Sequence, residues 1–405
     1  MELAILVVDI ILTVIMLAIF GVWIYLLFYL IKSYQCSPRL NSLDILKSKF
    51  PKVSVILPAR NEEIYISRCL DSILNQDYPN FEIIAINDSS SDETGDIILT
   101  YSKKYDKIVA VNPGPKPNGW VGKSWACYQG YRKATGDLLL FTDADTRHSS
   151  SLMSLAVGHL LEQNLDAITA IPKLLCIETW TKITLPMLST FLHTRFSALR
   201  VNDPRAKIGY FFGSFFIISR TAYEKVGTHE GVKQEIVEDG ALGGKVKDAK
   251  FGLKMVRGEE NITAIWARDL KSLWHGLRRL MIPLYSQHKT KISLMIIAVF
   301  FLLLEPFIIL PYSSLLLFFG DNRHFINYIL IYVNVLTILL IILSNVVHSK
   351  LSLYQSPIYA LASPLAAAII SFSFISSIID AKKTGAVTWR DRQYTIGEHH
   401  QHPLS

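Results

Sequence analysis

The sequence predicts an α/β domain with a mostly parallel, Rossmann-like sheet, placed between apolar segments at both ends of the chain. Three observations predict it. Short apolar runs alternate with helix-spaced stretches from about residue 52 to about residue 280, the pattern of βαβ units with right-handed crossovers. The run Leu138-Leu139-Leu140-Phe141 has no alternation, as a strand buried on both faces would. It ends in Thr142-Asp143-Ala144-Asp145-Thr146, two carboxylates where open α/β sheets bind ligands.

The elements follow in order. Val53–Leu57 reads as a strand stopped by Pro58, and Glu62–Asn75 as a helix with Ile66, Leu70, Ile73 and Leu74 on one face. Phe81–Ile86 is a second strand, running into the polar loop Asn87-Asp88-Ser89-Ser90-Ser91-Asp92. Thr94–Tyr105 is a helix, Ile108–Val111 a strand, and Ser124–Ala134 a helix before the strand at Leu138. Later, Glu235–Gly240 places the pair Glu238-Asp239 before a helix-like stretch, Ala241–Ala249.

The termini are apolar. Ile10–Ile31 is free of charge for about 22 residues, enough to cross a bilayer core. Its acidic start, Met1-Glu2, argues for an uncleaved anchor rather than a signal peptide. Ile292–Phe319, Phe325–Leu343 and Pro357–Ile379 form a second apolar region. The first of these carries Glu305-Pro306 and is expected to kink there. The net charge is +7, and Lys32, Arg39, Lys47, Lys49, Lys52, Arg278, Arg279, Lys289 and Lys291 flank the apolar segments. The positive-inside rule puts the middle domain in the cytoplasm, with a cell-membrane, multi-pass location. A basic balance arranged this way implies a membrane rather than a nucleic acid. The 4 cysteines show neither metal nor redox spacing.

Three strand ends present polar groups to one sheet edge: Pro58-Ala59-Arg60-Asn61-Glu62, Asn87-Asp88-Ser89 and Asp143-Ala144-Asp145. Glu62 and Asp88 can accept from ribose hydroxyls or a base edge. Two aspartates at a buried strand end need a partner, and a divalent cation with a phosphate-bearing ligand would serve. Gly119-Trp120-Val121-Gly122-Lys123-Ser124 lacks the glycine that a Walker loop needs at position 117. It still opens a helix, where anions are favoured, so Lys123 is a candidate diphosphate contact. Glu238 and Asp239 read either as first-turn acids or as a site for general-base chemistry. Leu270–Arg279 is amphipathic, with Leu270, Leu273, Trp274 and Leu277 on one face, and suits a membrane interface.

As a set, Val53–Glu62, Asn87–Thr94, Thr142–Asp145 and Glu238-Asp239 resemble the family 2 glycosyltransferases, inverting enzymes with the GT-A fold. Within that family the chain resembles more closely the membrane-bound members that glycosylate lipids, among them the enzymes acting on ceramide, hopanoids and carotenoid acids. That likeness is carried by Gly119–Cys127, Thr142–Thr146, Leu270–Gly276 and Gly385–Tyr394. The resemblance implies a GT-A catalytic domain with N- and C-terminal transmembrane helices. The expected parts are an anchor at 1–34, the transferase domain at 52–268, an amphipathic interface region at 269–291, a membrane region at 292–380 and a cytoplasmic-type tail at 381–405. It implies a nucleotide-sugar donor, UDP- or GDP-hexose, and a lipid acceptor.

By the same resemblance, Pro58, Arg60, Glu62, Asp88, Lys123 and Asp143 would bind the donor, Asp145 would hold Mg²⁺ or Mn²⁺, and Asp239 would be the general base. Glu238, Trp274, Arg278, Arg279, Trp389, Arg390 and Arg392 are candidate diphosphate or acceptor contacts. The chain departs from related enzymes in lacking Gln-x-x-Arg-Trp where it reads Trp274-His275-Gly276-Leu277-Arg278-Arg279. One anchor plus three further passes would put Arg390 and Arg392 opposite the catalytic domain, so Pro357–Ile379 is expected to be re-entrant. A polyprenyl-phosphate sugar transferase is the alternative enzyme, and a non-catalytic membrane scaffold with a transferase-like domain the alternative class. A processive polysaccharide synthase fits less well, given the missing string and the few membrane segments.

Overall fold

In the computed structural model the chain opens with one long helix, α1 (Glu2–Cys36). The structure describes residues 2–41, 50–287, 289–319, 325–384, 386–389 and 392–395. Next come β1 (Val53–Ala59), α2 (Ile66–Leu74), β2 (Phe81–Asn87), α3 (Thr94–Lys104), β3 (Ile108–Val111), α4 (Gly122–Lys133) and β4 (Leu138–Phe141). β5 (Thr146–His148), α5 (Leu152–Glu162), β6 (Ala167–Ile171), β7 (Lys173–Leu175), α6 (Thr179–Arg195) and α7 (Ala198–Val201) follow. β8 (Phe216–Ser219), α8 (Arg220–Lys225), α9 (Glu238–Asp248), β9 (Leu253–Arg257) and β10 (Ile262–Ile265) lead to the helices α10 (Leu270–Gln287), α11 (Lys289–Leu303), α12 (Glu305–Phe319), α13 (Phe325–His348) and α14 (Ser363–Thr384). A hairpin, β11 (Ala386–Trp389) and β12 (Arg392–Thr395), comes last.

These elements form two compact units. One holds Cys36–Leu175 and Phe196–Trp266; the other holds Met1–Gln35, Cys176–Arg195 and Ala267–Glu398. α6 therefore groups with the apolar helices although it is flanked in sequence by the sheet. It packs on α13 and α14.

The first unit is built on a seven-stranded sheet of order β3-β2-β1-β4-β8-β6-β9. Neighbours are parallel except where β8 runs against β4 and β6. Alternate residues of each central strand enter opposite cores. Val53, Val55 and Leu57 of β1 and Leu138 and Leu140 of β4 pack on one face, while Ile56, Leu139 and Phe141 pack on the other. Burial on both faces is why these strands read as continuous apolar runs.

The sheet corrects several boundaries. β1 does not stop before Pro58 but runs through it, paired with β2 as far as Ala59. Ile56 O accepts from Thr142 N, so same-parity Pro58 turns its nitrogen toward β4, which has already ended at Phe141. The missing N–H thus costs no ladder bond. α2 begins at Ile66 rather than Glu62, because Asn61 is left-handed (φ 53°) and Glu62 N donates to Thr94 Oγ1 at 2.7 Å. α4 and α9 begin at Gly122 and Glu238, two and three residues earlier than their apolar spacing suggests. Lys123, Glu238 and Asp239 consequently sit in first helical turns.

In the second unit, three helices among the described residues are long and apolar enough to cross a membrane: Leu3–Cys36, Phe325–Leu353 and Pro357–Ser377. A fourth candidate is broken, Ile297–Leu303 and Glu305–Leu316 meeting at 54°, at the expected Glu305-Pro306 kink. Pro306 has no N–H to offer Leu302 O, and the indole of Trp23 on α1 donates to that carbonyl instead, at 3.0 Å. α10 packs on α6, α11 and α14, burying Leu273 and Leu277 while Leu270 stays exposed.

Candidate active site

At the carboxyl edge of the sheet the loops after β1 and β2 are laced together. Arg60 donates to Asp88 O and Ser89 O, both at 2.8 Å. Asn61 Oδ1 accepts from Ser91 N, Glu63 N donates to Asp92, and Glu93 N donates to Glu63. Asp88 N donates to Ala59 O at 2.8 Å. This lacing holds Glu62 and Asp88, both buried, on adjacent strand ends.

The link from β4 to β5 carries Asp143 and Asp145 over a buried base. Thr142 Oγ1 donates to Ser214 O at 2.8 Å, and Thr146 Oγ1 donates to Asp143 O at 2.8 Å. His148 Nε2 lies 3.1 Å and 3.2 Å from the two threonine hydroxyls, and burial drives its pKa down to about 3, so it is a neutral partner. Ala144 is buried between the two aspartates, which are each part-exposed.

Lys123 joins this edge to α9. Its ammonium lies 2.7 Å from Asp143 Oδ1 and 2.8 Å from Glu238 Oε1. Burial alone would lower its pKa, but Asp143, Glu238 and Asp239 together hold it well above the ordinary lysine value. The Glu238 side chain is 5% exposed, so this pair is desolvated on the glutamate side. Asp239, one residue on, takes a different environment. Its Oδ2 accepts from Gly213 N at 2.7 Å and its Oδ1 from Gly240 N at 2.8 Å. Burial and the neighbouring Glu238 and Asp143 push its carboxyl up to about 6, against the opposing pull of Lys123 and Gly240 N–H. Two adjacent acids thus stand in different surroundings, one paired with an ammonium and one held by backbone N–H groups.

Gly213 lies at the centre of the cluster. A Cβ there would stand 2.6 Å from Asp239 Oδ2, 3.0 Å from Lys123 Nζ and 3.3 Å from Asp143 Oδ2. Nothing in the chemistry-bearing motifs pointed to it. The available signal was an isolated glycine in the apolar run Tyr210-Phe211-Phe212-Gly213-Ser214-Phe215-Phe216, which marks a close approach of backbone to another group. Below Lys123, Cys127 is buried, and burial keeps its thiol well above its ordinary pKa.

The structure therefore brings together Lys123, Asp143, Glu238 and Asp239, with Asp145 on the same strand-end link and Pro58, Arg60, Glu62 and Asp88 on the adjoining strand ends. Trp274, Arg278 and Arg279 lie on α10 and Trp389 and Arg392 on the hairpin, all in the other unit. Arg390 lies outside the described residues.

Among the described residues no three His, Cys, Asp or Glu side chains converge as a ready-made metal cage. The donor set nonetheless fits a hard cation: carboxylates at an open strand end, with the remaining oxygens to come from a bound diphosphate, as Mg²⁺ sites commonly use.

A mostly parallel sheet with one reversed strand, bearing acids and a lysine at its carboxyl edge, defines a GT-A-like transferase domain. Residues 54–227 match the family model described as Glycosyl transferase family 2, and this segment is a domain of that family. The probable glycosyltransferase YdaM of Bacillus subtilis (strain 168) is 41% identical over 123 residues, 30% of this chain and 29% of that protein. The 4,4'-diaponeurosporenoate glycosyltransferase of Staphylococcus aureus (strain USA300) is 28% identical over 208 residues, 47% of this chain and 50% of that protein. The matched stretch spans no more than half the length of these curated relatives. Among solved structures, the mannosyltransferase PcManGT from Pyrobaculum calidifontis in complex with GDP-Man and Mn²⁺ shares the fold. It matches 91% of this chain and 98% of its own with a TM-score of 0.52 at 16% identity.

Proposed function

We propose that this protein is a membrane-bound inverting glycosyltransferase that moves a hexose from UDP- or GDP-hexose to a lipid acceptor. The observation that carries the reading is the separation of Asp239 from Glu238. Glu238 is engaged by Lys123, while Asp239 is held by two backbone N–H groups with its carboxyl raised to about 6. A carboxylate so placed is ionised at neutral pH and basic enough to take a proton from an acceptor hydroxyl as the new bond forms.

Glu62 and Asp88 would accept from the nucleoside, Asp143 would face the ribose, and Lys123 would meet the diphosphate. Asp145 would hold Mg²⁺ or Mn²⁺, which when bound offsets charge on the leaving nucleoside diphosphate. The acceptor is read as a lipid because helices able to span a membrane accompany the transferase domain. The staphylococcal relative, named for diaponeurosporenoate, supports the same acceptor class. Arginines and lysines beside the apolar segments support a cytoplasmic catalytic domain and a multi-pass chain. The domain limits 52–268 fit this reading if α6 is counted with the membrane helices.

The deciding experiment incubates full-length protein with membranes and a panel of nucleotide-sugars and analyses the lipid fraction by mass spectrometry. A lipid hexosylated on a hydroxyl or carboxyl group supports the proposal; donor hydrolysis alone, or sugar transferred only to the phosphate of a polyprenyl phosphate, rejects it. Orientation is tested at Cys36, which is exposed, whereas Cys127 is buried. A membrane-impermeant maleimide should label Cys36 from the cytoplasmic side of oriented vesicles, and labelling from the opposite side alone would overturn that orientation.

A further inference from the structure

The acid cluster carries its own cation. Lys123 reaches from the first turn of α4 to contact Asp143 and Glu238 at 2.7 Å and 2.8 Å. Its ammonium also faces the point beside Gly213 from which Asp239 Oδ2 is 2.6 Å away and Asp143 Oδ2 3.3 Å away. The ammonium therefore stands among three carboxylates that come from two separate segments of chain. A divalent cation that reached Asp145 alone would meet a like charge already seated on Asp143, two residues back on the same link, and such repulsion is strong at short range in a partly desolvated site. A nucleoside diphosphate changes the balance. It brings negative charge of its own, and a lysine ammonium on a flexible four-carbon stem can turn to phosphate oxygens without a change in backbone. Lys123 lies in the first turn of α4, where the helix dipole also favours a phosphate.

We propose that Lys123 is an internal counter-ion that occupies the carboxylate cluster until a nucleoside diphosphate draws the ammonium away, so that divalent metal enters with or after the nucleotide. The inference rests on the reading of this edge as a metal-assisted nucleotide-sugar site. Lys123 is then a positioning residue for the acids as well as a contact for the diphosphate. Its loss affects metal and nucleotide in opposite directions, which a purely structural lysine would not do.

The test uses full-length protein in nanodiscs. Mn²⁺ alone is titrated by electron paramagnetic resonance, and UDP and GDP are titrated by calorimetry with and without Mn²⁺. The wild type should bind Mn²⁺ at least about tenfold more tightly when nucleotide is saturating. Lys123→Met should bind Mn²⁺ alone at least about tenfold more tightly than the wild type and bind the nucleotide more weakly. Lys123→Met leaves Glu238 buried without its partner, so Lys123→Met/Glu238→Gln removes both ends of the pair while keeping Asp143 and Asp239. This double variant should also gain affinity for Mn²⁺ alone, and it decides the matter if the single variant does not fold. Nucleotide binding that requires Mn²⁺, with no gain for Mn²⁺ alone in the folded variant, overturns the counter-ion role and leaves the site reading intact. A wild type that binds neither nucleotide under any metal condition overturns both.

Discussion

Gly213 N–H donates to Asp239 Oδ2 at 2.7 Å, tying the loop before β8 to the first turn of α9. The bond fixes one carboxylate oxygen, and the absent side chain leaves room for it. Gly213→Ala would place a methyl group 2.6 Å from that oxygen, so Asp239 or the loop must move. Transfer should fall by about a hundredfold or more, as small displacements in catalytic geometry do. Kinetics beside a thermal melt check this: a rate near wild type would show that the loop yields freely.

Asp239→Asn should lose about 10²–10⁴-fold in rate while nucleotide affinity stays within a few-fold. Calorimetry and turnover on the same variant measure both. Collapse of affinity together with rate would make Asp239 a donor-site residue. Unchanged rate would point to an acceptor that is already ionised.

The raised carboxyl of Asp239 fixes two pH trends of opposite sign. The base is active when ionised, so kcat/KM should rise with pH through about 6. For folding, a carboxyl whose pKa is higher folded than unfolded holds more protons in the native state between about pH 4 and 6, so its contribution to stability declines as pH rises across that window. Asp239→Asn should therefore flatten this pH dependence of stability and lose the acid limb of the rate profile, while its amide nitrogen leaves one of the Gly213 and Gly240 N–H groups without its acceptor. Thermal melts from pH 4 to 7 would reveal a contrary trend.

Asp145→Asn removes an anionic oxygen from a hard cation that prefers such donors. Transfer should fall by at least about a hundredfold with the melt unchanged, and added Mn²⁺ should restore part of it. Full activity in the variant, or activity that survives chelation in the wild type, would remove Asp145 from the metal role.

Trp23→Phe keeps an aromatic, though smaller, side chain but withdraws the donor that serves Leu302 O at the Pro306 break. An unsatisfied carbonyl in this part-buried position costs up to about 1–3 kcal/mol, so the purified protein should melt up to a few degrees lower in detergent. An unchanged melt would mean that the carbonyl finds another donor.

The sequence by itself determined the alternation of elements, the strand-end acids and the broken apolar helix. Each depends on local pattern: period, Pro and Gly placement, and charge beside apolar runs. Val53, Leu138 and their neighbours face two cores because continuous apolar strands have no solvent face. The 54° break follows from Glu305-Pro306 because proline cannot donate within a helix. The reversed direction of β8, the grouping of α6 with the apolar helices and the meeting of Lys123 with Glu238 were decided only in three dimensions. Lys123 and Glu238 are 115 positions apart, and no local propensity encodes which side chain a lysine will meet. Gly213 has no side chain to announce a role; its importance is the space it leaves beside Asp239, which exists only once β8, α4 and α9 have packed. The different fates of Glu238 and Asp239 arise in the same way, since adjacent residues on a helix point about 100° apart and so meet different neighbours.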